Sequence, residues 1–147
     1  MMRIKIETKV QASLNEVKAG FTDELFLKLN PPFPPVKLEK FDGCKTGDQV
    51  VIILNFILFK QTWISDITED KEENGSWYFV DQGTKLPFFL SKWRHHHGLK
   101  SESIGSKIID DITYSTGTLL TDLIIYPLLY GQFLYRKPIY KKVFSQK

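Results

Sequence analysis

Only one cysteine, Cys44, occurs among the 147 residues. A single thiol excludes an intramolecular disulfide and any multi-cysteine metal site. Cys44 lies in DGCKTGD, a turn-like stretch, and reads there as an incidental thiol near the surface. The same stretch contains Lys-Thr but lacks the spacing of a phosphate-binding glycine loop. Long hydrophobic runs are also lacking. VVIILNFILF (50–59) and LLTDLIIYPLLY (119–130) are the longest, and each is short for a membrane span and carries a polar break. Stable membrane insertion is therefore not expected. The opening MMRIKIETKV alternates and has none of the apolar core of a signal peptide, so cytoplasmic residence is the default expectation. Charge of one sign is not in excess. Twenty Lys and Arg against 17 Asp and Glu leave +3, a mild balance that provides no electrostatic footprint for nucleic acid. Internal repeats, low-complexity segments, helix-turn-helix and RNA-binding signatures are missing too.

Aromatic residues are plentiful: 11 Phe, 6 Tyr and 3 Trp. A chain of this length suits one domain, 1–147, that buries roughly two thirds of its unfolded surface. Residues 2–10 alternate, with Ile4, Ile6, Thr8 and Val10 on one face, which predicts a strand with one wet side. Ser13 and Glu16 have capping-box spacing, so a helix begins at Leu14. A second short helix over about 22–29 turns Leu25, Phe26 and Leu29 inward, and NPPFPP (30–35) ends it because proline lacks the donor. Strands are expected at 36–41, 48–58, 60–70, 76–83, 90–100 and 105–115, with turn residues between them. The tail from Thr118 to Phe144 reads as a long helix, kinked near Pro127 or starting close to it, with Pro138 bending its last part. The class is α+β: a curved seven-stranded antiparallel sheet around a long C-terminal helix, two short helices after strand 1, and a hollow between sheet and helix.

All three histidines stand together in WRHHHGL (93–99). Side chains alternate along a strand, so Trp93, His95, His97 and Leu99 share one face and His96 takes the other. Trp93 and Leu99 mark the first face as inner. In the next strand Ile108, Asp110, Ile112 and Tyr114 share the apolar face, which makes Asp110 an inward carboxylate. A hairpin turning near Glu102 and Ser103 sets Asp110 opposite His95. A buried carboxylate needs partners, and three readings stay open. The cluster is a polar, ligand-facing lining of an apolar cavity. Alternatively His95, His97 and Asp110 hold a metal, since His-x-His on one face with a carboxylate occurs in iron and zinc sites. In the third reading His95 or His97 is an acid–base group oriented by Asp110.

The chain resembles the START/Bet v 1-like superfamily of helix-grip ligand-binding proteins, also called SRPBCC, polyketide cyclase/dehydrase-like. Within it the likeness is to small bacterial proteins with a W-x-H-x-H strand, here Trp93, His95 and His97. Their pattern continues with Gly105, Ser106, Asp110, Ile112 and Tyr114, and ends in Phe133, Tyr135 and Arg136. Two departures stand out: KLPFFLSKW has Pro87 without the usual adjacent glycine, and Pro127 and Gly131 are more widely spaced than the family's pair. The resemblance implies a hydrophobic cavity that takes a small, mostly apolar ligand such as a lipid, polyketide or aromatic metabolite. No cofactor is implied, and monomer and homodimer are both open. Ligand-binding candidates are Trp93, His95, His97, Asp110, Tyr114, Trp63, Trp77, Phe79, Tyr126, Tyr130 and Phe133. Leu123 and Leu134 join them on the helix, and Asp81 shares the parity of Trp77 and Phe79. Binding is the primary expectation. A small cavity enzyme of the cyclase, dehydratase or hydrolase type, using His95/His97 with Asp110, is the alternative, and a structural or protein-interaction module the second. For the basic tail, Arg136, Lys137, Lys141 and Lys142, three readings stand: a solvated helix end, contact with a membrane while a lipid is loaded, and Arg136 pairing with a carboxylate and pinning the helix to the body.

Overall fold

A computed structural model describes residues 1–145. Chain order is β1 (Met2–Val10), α1 (Leu14–Ala19), α2 (Asp23–Leu29), β2 (Val36–Phe41), β3 (Gln49–Asn55), β4 (Lys60–Glu73), β5 (Ser76–Lys85), β6 (Lys92–Ser101), β7 (Ser106–Ser115), α3 (Leu119–Leu134) and α4 (Arg136–Val143). The strands form one antiparallel sheet in the order β1-β7-β6-β5-β4-β3-β2. This is the expected α+β arrangement, with a curved sheet gripping the C-terminal helical segment and two short helices after strand 1.

Local chemistry accounts for the elements. In β1 the residues Ile4, Ile6, Thr8 and Val10 are buried and their neighbours exposed, as period-two alternation requires. The Ser13 side chain accepts from the Glu16 amide while the Glu16 carboxylate reaches back to Ser13, closing the capping box of α1. Thr22 caps α2 in the same way through the Leu25 amide. Two apolar clusters fill the interior. One joins Val17, Leu25 and Leu29 of the short helices to Trp77, Phe79, Leu99, Tyr140 and Phe144. The other joins Ile4, Ile6, Trp93, Ile112 and Tyr114 to Leu129 and Phe133 of α3. Cys44 packs at the margin of the first cluster, half-buried and not at the surface.

Three expectations need correction. Strand β3 stops at Asn55, and residues 56–59 form the connection, with Ile57 at φ 76°. Phe56, Phe59, Phe88 and Phe89 cluster there edge to face. Second, α3 begins at Leu119 and continues through Pro127, so the helix does not start there, and the break falls at Tyr135. Pro138 has no amide hydrogen for the Leu134 carbonyl, so the ladder fails one turn ahead of that proline, which then sits in the first turn of α4 where it is tolerated. Third, the β6–β7 hairpin pairs residues summing to 207: His97 faces Asp110, and His95 faces Ile112. The turn sits one residue further along than expected, closed by the Glu102 amide on the Gly105 carbonyl. A two-residue shift keeps every side chain on its face.

Gly105 marks why that turn is where it is. Its φ is +73°, and a β-carbon there would lie 2.1 Å from the Val10 carbonyl oxygen. Next to it, the buried Ser106 hydroxyl donates to the Ala12 carbonyl at 2.8 Å. The hairpin is thus seated against the end of β1. Gly105→Ala should lower the unfolding free energy by roughly 2–4 kcal/mol, through strain at a positive φ plus a backbone clash. Gly131→Ala, on α3 with open space around it, should raise it by about 0.5–1 kcal/mol. Urea denaturation of both variants checks the pair; equal effects would refute the assignment of Gly105 to the turn.

Candidate functional site

Strands β5, β6 and β7 present adjacent inward side chains at mid-sheet, and α3 and α4 cover them. Five of these side chains form two hydrogen-bonded groups that lie side by side, His95 with Asp110 and Asp81 with His97 and Trp93. The His95 imidazole donates through Nε2 to Asp110 Oδ1 at 2.8 Å. The two are diagonal neighbours, which is why the contact forms although Ile112 is the residue opposite His95. His97 donates through Nε2 to Asp81 Oδ2 at 2.6 Å, and the Trp93 indole donates to Asp81 Oδ1 at 3.2 Å. Asp81 Oδ2 also lies 3.7 Å from His95 Nδ1. The two imidazoles stack at 3.5 Å, with Phe79 stacked on the other side of His97 at 4.2 Å. From the helical side, Arg136 brings its guanidinium to 3.6 Å from Asp110 Oδ1 and over the Phe133 ring. In the basic tail Arg136 pairs with the Asp110 carboxylate, while Lys141 and Lys142 stand exposed at the end of α4. His96 takes the outer face and stacks on Tyr78.

Burial controls the ionisation of these groups. It pushes His95 down to about 4, with the nearby His97 adding to the fall and the Asp110 bond opposing it, so His95 is neutral at pH 7. Burial also works against the Asp110 carboxylate, but the His95 bond and the Arg136 charge outweigh it and hold the group below the usual carboxylate range. Asp81 is held low against burial by His97, with His95 and Trp93 assisting.

A cavity of about 170 Å³ adjoins the cluster. Its walls are apolar for the most part: Leu25, Phe26 and Leu29 of α2, Val50, Ile52 and Leu54 of β3, Trp63 and Ile67 of β4, and Leu129 and Phe133 of α3. Polar side chains in the lining are Asp81, His95, His97, Gln132, Arg136 and Tyr140, together with Thr22, Asn30 and Ser65. The Tyr140 hydroxyl is buried beside Arg136 and Asp110, and no hydrogen-bond partner for it stands among the described residues.

Of the candidates read from sequence, Trp63, Phe79, Trp93, His95, His97 and Phe133 line the cavity. Asp110 lies directly behind His95, at 1% exposure. Tyr114 and Trp77 do not line it. Tyr114 is packed in the core with its hydroxyl donating to the Asp122 carbonyl, and Trp77 lies in the other cluster. Tyr126 and Tyr130 stack on each other away from the cavity, and Leu123 and Leu134 are exposed. The helical wall is instead Leu129, Gln132, Phe133, Arg136 and Tyr140. Sequence reasoning gave Asp81 no role, although its shared parity with Trp77 and Phe79 was a usable signal.

The fold is a helix grip, and solved structures share it. Protein Ms6760 from Mycobacterium smegmatis superposes with a TM-score of 0.69 at 14% identity, over 99% of this chain and 91% of that one. Norcoclaurine synthase from Thalictrum flavum, solved with dopamine and hydroxybenzaldehyde, gives 0.68 at 14%, over 97% and 85%. The Zhui aromatase/cyclase from Streptomyces gives 0.64 at 12%, over 93% and 89%. No family model matches the sequence, and no curated protein does. Identities this low speak for the helix-grip architecture, a cavity-forming one. Among the described residues, no helix is long and apolar enough to cross a membrane.

Cys44 borders the helix-grip cavity, its thiol 3.8 Å from the Phe21 carbonyl. Burial, reinforced by Asp48 and Asp81, pushes the thiol up to about 12. At pH 8 iodoacetamide should therefore alkylate the folded protein about two to three powers of ten more slowly than the urea-unfolded chain. Mass spectrometry of timed quenches measures both rates, and equal rates would show that the thiol is not held in the fold.

Proposed function

We propose that this protein is a small cavity enzyme that binds a mostly apolar molecule carrying one hydroxyl, carbonyl or carboxylate group and changes bonds at that group. The observation that carries the reading is the contrast within the cavity wall. Apolar side chains surround the ligand space, while the Asp81 carboxylate, two imidazoles, a guanidinium and a phenol crowd one part of it, with the Asp110 carboxylate directly behind His95. Taking such charges out of water costs several kcal/mol per ion before their pairing is counted. A carrier of apolar molecules needs only shape and apolar surface. A site that polarises or moves a proton at one point of its substrate needs fixed charges there. The Tyr140 hydroxyl supports the same reading. A buried donor without a partner is costly, and a ligand oxygen at this position relieves it.

Cyclisation, dehydration and hydrolysis all fit, since each requires a charged or proton-transferring group at one place in an otherwise apolar ligand. Norcoclaurine synthase and the aromatase/cyclase are enzymes built on this architecture. The finer likeness, to small bacterial proteins with a W-x-H-x-H strand, rests on the motif residues Trp93, His95 and His97.

The test is a thermal-shift screen with aromatic ketones, phenols and medium-chain fatty acids, followed by mass spectrometry of incubated hits. At least one compound should raise Tm and be converted. Leu54→Trp, which fills the cavity, should abolish the shift. Tyr140→Phe should weaken binding by roughly 5–10-fold, the loss of one hydrogen bond. His97→Asn should retain much of the binding and lose turnover. Hits that bind without any conversion would return the protein to the carrier reading. Hits indifferent to Leu54→Trp would dismiss the cavity as the site.

A further inference from the structure

The geometry points to a divalent transition-metal site formed by Asp81, His95 and His97, open to the cavity. Three ligand atoms converge: Asp81 Oδ2, His95 Nδ1 and His97 Nε2, all within 4.8 Å of one another. Two neutral imidazoles and one carboxylate suit zinc or ferrous iron. Ligands bound at about 2.1 Å stand roughly 3–3.4 Å apart in tetrahedral or octahedral geometry. The Asp81–His97 and Asp81–His95 separations, 2.6 Å and 3.7 Å, fall on either side of that spacing.

The surrounding hydrogen bonds decide which atoms are free to bind. His95 gives its Nε2 hydrogen to Asp110 at 2.8 Å, so its Nδ1 carries the lone pair. That lone pair faces Asp81 Oδ2, and two acceptors turned toward each other are stabilised by a cation between them. The Trp93 indole holds Asp81 by Oδ1 and leaves Oδ2 for the ion. Asp110 is held in turn by Arg136 at 3.6 Å. A carboxylate behind a ligating histidine and a donor behind a ligating carboxylate are the supports that orient metal ligands. On binding, the ion takes the place of the hydrogen between His97 Nε2 and Asp81, and His97 ligates as the neutral tautomer that carries its hydrogen on Nδ1.

The sequence left a different triad open, with Asp110 as the carboxylate ligand. In the structure Asp110 is spoken for by His95 and Arg136, and it does not border the cavity. Asp81 takes the ligand position, with cavity space beside it for water or a substrate oxygen. The proposal rests on the cavity-enzyme reading only for that last feature.

Full-length, tag-free protein is stripped with chelator and titrated with Co²⁺ alone, followed by visible d–d absorption and competition with Zn²⁺. About one equivalent should bind with a low-coordinate spectrum. Asp81→Asn and His97→Asn should each weaken Co²⁺ binding by at least roughly 100-fold, and Asp110→Asn by roughly 10–100-fold. His96→Ala should leave binding unchanged. Circular dichroism confirms that each variant is folded; if one is not, the other ligand variant decides. Wild-type protein that takes up no stoichiometric Co²⁺ or Zn²⁺ overturns the proposal. So does binding that survives Asp81→Asn and disappears with His96→Ala, since that is adventitious capture by the three consecutive histidines. The titration contains no organic ligand, so its failure leaves the cavity-enzyme reading standing, and a failed ligand screen leaves the metal site standing.

Discussion

The buried carboxylate of Asp110 is the constraint on which the site depends. At 1% exposure it cannot remain ionised without close positive or donating partners. One partner, His95, comes from the neighbouring strand, and the other, Arg136, from the start of α4. Meeting that demand ties the sheet to the helical segment at the point where the helix breaks. It also sets the tautomer of His95, and through it the chemistry that faces Asp81. Asp81 then links both histidines and the Trp93 indole into one network spanning β5 and β6. Removing any member leaves another buried charge unsatisfied, so these residues act as a unit.

The pattern residues divide into two kinds. Trp93, His95, His97, Asp110 and Arg136 form the polar network. Gly105, Ser106, Ile112 and Tyr114 are scaffold: they seat the hairpin against β1, fill the core, and fasten β7 to the first turn of α3 through the Asp122 carbonyl. The scaffold holds the network in register, since a one-residue slip of β7 would turn Asp110 out of the interior. Phe133 does both, covering His95 edge-on and lying under the Arg136 guanidinium.

Helix α3 has an unusual surface. Leu119, Leu120, Leu123, Ile124 and Leu128 are exposed, while its one charged residue, Asp122, is buried. A helix apolar on both sides gives no periodic signal for which side packs inward. That explains why Leu123, Tyr126, Tyr130 and Leu134 looked as suitable for the cavity wall as Leu129 and Phe133.

Sequence by itself determined the strand count, the two short helices and the cap of the first, the α+β class and the inward face of His95, His97 and Asp110. These follow from local rules: alternation, capping-box spacing and the properties of proline. Tertiary structure decided the rest. The hairpin register was settled by Gly105 fitting against the Val10 carbonyl, a contact between segments far apart in sequence. The helix phase was settled by packing on the sheet. The hub position of Asp81 depended on β5 and β6 meeting in one register, because its partners are 12 to 16 residues away in the chain. Alternation shows which way a side chain points, but what it meets there is a property of the assembled sheet.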